Sequence, residues 1–188
     1  YAEGKRILLL GLGKKDKLDG VAVRRAVGKV SRTAITKNVD SIATECLCIN
    51  CEHCQSVGEG LVLGSYQFLD YKTKEKDNFE LKSATVLGCD SDEVAKGAAI
   101  GNAVCFARDL ANHPGNVTTP SRLAEAAGEI AREGGMNLTV FDRKEFTEMG
   151  MGGLAGVAQG TDEPPKFIIL EYSNGGDEKP KVLVGKGL

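Results

Sequence analysis

The densest group of chemically capable side chains in the sequence is a cluster of cysteines near position 50. Four thiols fall within nine residues, with His53 beside them: Cys46, Cys48, Cys51 and Cys54. Cys51 and Cys54 have the two-residue gap of a zinc knuckle. A zinc site normally takes its second ligand pair from a separate segment, and Cys46 and Cys48 share one face of a predicted strand, as small core residues also do. A structural metal site and buried thiols both remain open.

The other residues that invite a catalytic reading lack the rest of a motif. Gly11-Leu12-Gly13 follows an apolar run, but the dinucleotide fingerprint needs another glycine where Asp16 stands. Gly185-Lys186-Gly187 has neither the earlier glycine nor the following Ser or Thr of a phosphate loop. The two histidines, His53 and His113, lie in no recognisable nucleophile setting. Local chemistry therefore indicates no more than a soluble α/β protein.

Composition narrows the class of protein. The 188 residues are 41% hydrophobic and 27% charged, with a net charge of −2, which is typical of a globular protein. Lys and Arg are spread along the chain, which argues against nucleic acid as a partner. No apolar run approaches the roughly 18 residues that would span a bilayer. The start on Tyr1 and the apolar ending predict a piece of a longer protein. An intracellular source is also expected, with the six cysteines as thiols rather than disulfides.

Strand-like and helix-like segments alternate through the first half. Apolar runs predict strands over residues 5–10, 41–49 and 79–88. Helical spacing predicts helices over 18–37 and 58–71, the second burying Leu61, Leu63, Tyr66 and Leu69. This order favours a mainly parallel sheet flanked by helices.

A long helix is predicted over 92–112, capped by Asp90 or Ser91. Its packed side is expected to carry Val94, Ala98, Ala99, Ala103, Phe106 and Leu110. Gly97 and Gly101 are four residues apart, so a neighbouring element can approach closely there. After a junction near residues 112–116, Thr119 and Pro120 begin a helix that runs to about Glu133 and stops at Gly134-Gly135. The remaining predictions are strands over 137–141, 167–172 and 181–185 and a short helix near 143–148.

Several blocks in order resemble the leucyl (cytosol) aminopeptidase family. The run FARDLANHPGNVTTP (106–120) is similar to the signature between its two domains, and MGMGGLAGVAQG (149–160) to its next block. VLVGKG (182–187) is similar to the strand that delivers the family's first metal ligand. RILLLG (6–11) and EGLVLGSY (59–66) fit its N-terminal domain. The departures are His113, where the family has a small or polar residue, and the Cys-rich loop.

The resemblance implies three parts. Residues 1–90 would form a partial macro-like α/β domain, 91–112 a linker helix, and 113–188 the first helices and strands of an α/β metallopeptidase catalytic domain. It also implies a cytoplasmic homohexamer that removes N-terminal, leucine-type residues from peptides with a free N-terminus.

The implied cofactors are two divalent ions, zinc or manganese, and Lys186 corresponds to the family's lysine ligand. The family's remaining metal ligands have no counterpart among these 188 residues, so the chain alone is expected to be inactive. The alternative is that the α/β part is a non-catalytic binding or oligomer-assembly module.

Overall fold

The computed structural model describes residues 6–45, 53–74 and 79–187. The chain divides into two compact units, Tyr1–Asp109 and Leu110–Leu188. No helix in the described part is long and apolar enough to cross a membrane.

The first unit contains helices on a parallel strand pair. A 3-10 turn (Lys15–Lys17) precedes α1 (Gly20–Thr36), β1 (Ser41–Glu45), α2 (Cys54–Ser65), β2 (Ser83–Leu87) and α3 (Ser91–Asn112), whose last three residues fall in the second unit. β1 and β2 pair in parallel, from Ser41 opposite Ser83 to Glu45 opposite Leu87. The predicted parallel arrangement is confirmed for these two strands.

The core of this unit lies between α1 and α2. Val23 and Val27 of α1 pack with Val57 and Leu61 of α2, all buried. Leu18, Ile42, Val86 and Cys89 pack against this cluster from the strands and loops. α1 begins two residues after the predicted start, where the Asp19 carboxylate caps it by accepting the Ala22 N–H at 2.7 Å.

The second unit is built on an antiparallel strand pair. Its elements are α4 (Pro120–Gly134), β3 (Asn137–Phe141), α5 (Arg143–Glu148), α6 (Gly152–Val157) and β4 (Phe167–Glu171). β3 and β4 pair from Asn137 opposite Glu171 to Phe141 opposite Phe167. The Thr119 hydroxyl accepts the Arg122 N–H at 3.2 Å, which confirms the predicted start of α4. The left-handed Gly135 caps its end, which confirms the predicted stop at Gly134-Gly135.

Two predicted strands are absent from the described residues. Residues 6–10 and 181–185 have no strand conformation, and Leu9 and Leu183 are 90% and 97% exposed. Both predictions are wrong here because an apolar run reports a tendency to be buried, whereas a strand also needs a neighbouring strand to accept its backbone hydrogen bonds.

Helix α2 also differs from its prediction, beginning at Cys54 rather than 58 and ending at Ser65 rather than 71. Of its predicted buried side only Leu61 is buried; Leu63, Tyr66 and Leu69 are half-buried. The buried face of α2 differs from the predicted one because a glycine packs closely against α1: a Cβ on Gly64 would overlap the Gly28 carbonyl of α1. Glycine thus marks a contact here rather than a helix end.

Helix α3 matches its predicted span, and the Asp90 carboxylate caps it by accepting the N–H groups of Asp92 at 2.9 Å and Glu93 at 3.0 Å. The predicted packed side is partly wrong, since Ala99 and Ala103 are exposed and the buried positions are Gly97 and Gly101. Small size, rather than apolar character, selects the contact face.

Candidate metal centre

Lys186 lies near the end of an irregular segment that follows β4 in the second unit. The segment from Pro180 to Gly187 runs along a groove of about 1190 Å³ whose other walls are the start of α4, helix α6 and strand β4. Leu123 of α4 is close to this segment, because a Cβ on Gly187 would lie 3.1 Å from its Cδ1 atom. The Lys186 side chain is exposed. Lys186 is therefore an exposed residue of the groove lining.

Among the charged side chains that line the groove, one is a carboxylate, Glu171 at the end of β4. The lysines are Lys166, Lys181 and Lys186. A lysine binds a metal only as the neutral amine, and hard divalent ions need several oxygen or nitrogen ligands. In the described residues no group of three or more His, Cys, Asp or Glu side chains is arranged to hold a metal. Lys186 can therefore supply one ligand of a larger set.

The signature block at the start of the second unit is held by caps and side-chain contacts. The Val117 N–H donates to the Pro114 carbonyl at 2.8 Å, which closes the turn before α4. The Ser121 hydroxyl donates to Glu163 at 2.9 Å, joining the first turn of α4 to the loop before β4. These two contacts fix the wall of the groove that Pro120 and Leu123 line.

The predicted cysteine site is only partly described. Cys54 occupies the first turn of α2 and is 2% exposed. Cys46, Cys48 and Cys51 lie outside the described residues, so the structural metal site stays a prediction. Cys89 and Cys105 are half-buried free thiols.

A polar cluster that the sequence did not indicate joins the end of α2 to α3. The Tyr66 hydroxyl donates to Asp109 at 2.7 Å, and the Arg108 guanidinium lies 5.4 Å from the centre of the Tyr66 ring. Arg32 of α1 donates to the Tyr66 carbonyl at 2.8 Å. Nearby, burial raises the pKa of the Cys105 thiol; the Arg108 charge opposes this, and the Asp109 charge adds to it. The cluster anchors the part of α3 that carries the first residues of the signature block.

A buried carboxylate lies between α1 and α2. Glu59 is 5% exposed, forms an ion pair with Arg24 of α1 at 2.5 Å, and accepts a hydrogen bond from Gln55 at 2.8 Å. A buried charge needs such partners, because desolvation without them costs several kcal/mol, on the order of 5. Glu59 is thus accounted for by packing and is not a candidate for catalysis.

Comparison with known proteins identifies two consecutive domains of one family. The N-terminal domain of the cytosol aminopeptidase family matches residues 2–75, and its catalytic domain matches residues 105–188. A probable cytosol aminopeptidase of Geotalea uraniireducens is 40% identical over 98% of this chain, and one of Aquifex aeolicus is 37% identical over 97%. The chain spans about 40% of the length of these relatives.

Solved structures agree with the sequence comparison. The bottromycin maturation enzyme BotP, in a structure that contains Mn, is 29% identical, with a TM-score of 0.77 over 87% of this chain and 36% of its own. A tomato leucine aminopeptidase mutant is 24% identical, with a TM-score of 0.72 over 85% of this chain and 34% of its own, and shares its fold. The chain belongs to the cytosol aminopeptidase family.

Proposed function

We propose that this chain, as a member of the cytosol aminopeptidase family, belongs to a metal-dependent exopeptidase that removes N-terminal residues of the leucine type from peptides. The observation that carries the proposal is the succession of both family domains along one chain, at 40% identity to a relative named a probable cytosol aminopeptidase. The substrate class is a peptide with a free N-terminus. The cytoplasm and a homohexamer are the proposed location and assembly.

Lys186 is the metal ligand that this chain contributes. Its position in the family block and its place in the groove lining both support the assignment. Two divalent ions, zinc or manganese, would act as Lewis acids and lower the pKa of a bound water. For its part, Lys186 can donate an electron pair to a metal ion only as the neutral amine. The groove beside it offers the apolar walls that a leucine-type side chain requires.

The test is the substitution Lys186→Ala in the complete protein, with Lys181→Ala as the matched control. Lys181 lies in the same exposed segment and lines the same groove, but it is outside the proposed ligand set. Lys186→Ala is expected to lower kcat on a leucyl anilide by several orders of magnitude and to reduce the metal content measured by mass spectrometry. Near-normal activity of Lys186→Ala at saturating metal would show that Lys186 is not the metal ligand.

A second measurement concerns the 188-residue chain by itself. We expect no release of leucine above a metal-free control, because one lysine cannot hold two divalent ions. If the complete protein, loaded with either metal, also lacked peptidase activity, the family fold would serve binding or assembly in this protein. Activity of the 188-residue chain would instead show that a different set of its residues forms the site.

A further inference from the structure

The loop between β4 and the Lys186 segment contains the one Asn-Gly pair of the sequence, Asn174-Gly175. Residues 172–180 are all exposed and form neither helix nor strand. A Cβ built on Gly175 would meet nothing within 4 Å, and the next residue, Gly176, has a left-handed backbone (φ +73°). The Asn174-Gly175 pair is therefore exposed, lies outside helix and strand, and is uncrowded at Gly175.

We propose that Asn174 is a site of spontaneous covalent modification, which converts it to isoaspartate and aspartate. The Gly175 backbone nitrogen loses its proton to water and attacks Cγ of Asn174. The bond from Cγ to the side-chain nitrogen breaks, ammonia leaves, and a five-membered succinimide remains. Water then adds to one of the two ring carbonyls and opens the ring to either product. The step needs water alone and involves no oxidant or reductant.

Two further asparagines show why the structure selects this position. The attacking nitrogen must be free to lose its proton, yet the N–H of Val39, after Asn38, donates to the Ala34 carbonyl at 2.9 Å. The N–H of Val117, after Asn116, donates to the Pro114 carbonyl at 2.8 Å. Both following residues are also β-branched, which crowds the approach to Cγ. In the described part of the chain the Gly175 N–H makes no such bond.

The modification changes both the charge at position 174 and the covalent path of the main chain. Each event replaces a neutral amide by a carboxylate, beside Asp177 and Glu178 in the same exposed loop. The isoaspartyl product also routes the main chain through the side-chain carbon, which adds a backbone bond between β4 and the segment that carries Lys186. Aged protein should therefore separate by ion exchange into more acidic forms of unchanged sequence length.

The experiment incubates the complete protein at neutral and mildly alkaline pH and follows tryptic peptides by mass spectrometry. Trypsin cleaves after Lys166 and Lys181, because Pro180 protects Lys179, so the site lies in the peptide 167–181. We expect this peptide to gain about one mass unit per molecule, faster at higher pH. We also expect it to accept methyl groups from an isoaspartyl O-methyltransferase. The peptide 109–122, which contains Asn112 and Asn116, is the internal control.

Two variants complete the test. Gly175→Ala fits the open space around Gly175, and its methyl group should slow the gain in mass several-fold. Asn174→Asp should show no further mass change in the peptide 167–181. The proposal is overturned if the peptide stays unchanged in the folded protein while a synthetic peptide of the same sequence is converted. It is equally overturned if the control peptide changes as fast.

Discussion

Replacing Gly97 by alanine tests how closely α2 and α3 pack. A Cβ on Gly97 would overlap the backbone carbonyl oxygen of Gln55 and lie 3.0 Å from the backbone nitrogen of Glu59. Both obstacles belong to the main chain of α2, which cannot move aside as a flexible side chain can. Relief therefore requires that the two helices separate.

The magnitude follows from two opposing terms. Alanine in place of glycine favours a helix by about 1 kcal/mol, whereas forcing an extra carbon into a packed contact costs about 1–3 kcal/mol. Because the obstacle is backbone, we take the upper part of that range and expect a net loss of roughly 1–2 kcal/mol. For a chain of this size that lowers Tm by about 2–8 °C.

Gly28→Ala in α1 is the matched control. Its Cβ would lie 3.5 Å from the Gly60 carbonyl oxygen, an ordinary contact, so the helix propensity should act alone and raise stability by up to about 1 kcal/mol. Urea denaturation followed by circular dichroism compares both variants with the parent. The reasoning fails if Gly97→Ala is as stable as Gly28→Ala. Leucine at both Gly97 and Gly101 should do more harm, because Val62 is already 2.8 Å from a Cβ on Gly101.

Three further predictions address the cysteines and the polar cluster. Changing Cys51 and Cys54 to Ser should leave peptidase activity of the complete protein within a few-fold; stoichiometric zinc lost with that change would favour the structural metal site. Tyr66→Phe removes the hydroxyl that donates to Asp109 and should lower the free energy of unfolding by about 1 kcal/mol, whereas Tyr172→Phe, at a 61% exposed side chain, should not. Because burial raises the pKa of the Cys105 thiol, the folded protein should alkylate there more slowly than the unfolded chain. The contribution of that shift to the free energy of unfolding is complete below the unfolded pKa of roughly 8.5 and is lost as pH rises through the folded pKa. Cys105→Ser should therefore reduce the loss of unfolding free energy at alkaline pH. An unchanged dependence of the unfolding free energy on pH would contradict this.

Helices with capping residues could be predicted almost to the residue. Asp90 and Thr119, which the sequence indicated as caps, accept backbone N–H groups at the start of α3 and α4. A cap is a local interaction, so residues a few positions apart contain the whole signal. The apolar runs 5–10 and 181–185 carry no such information about a distant partner, and both predictions failed for that reason.

The polar cluster and the candidate metal ligand are two features that local sequence could not predict. Tyr66 and Asp109 are 43 positions apart, and no periodicity connects a tyrosine after one helix with an aspartate near the end of another. Lys186 has no local signal either, since an exposed lysine in an irregular segment is ordinary. What singled it out was the order of several family blocks along the chain, which is information about ancestry and not about local physics.

The glycines show why helix propensity and the packing between helices have to be considered together. Taken singly, Gly58, Gly64 and Gly97 weaken their helices by about 1 kcal/mol each. In the folded unit they occur where another helix arrives: a Cβ on Gly58 would overlap the Val94 carbonyl of α3, and one on Gly97 the Gln55 carbonyl of α2. A Cβ on Gly64 likewise meets Gly28 of α1. Each local cost is thus offset by a contact that only the other helix reveals, and α2 is packed against both of its neighbours through positions that propensity alone would count against it.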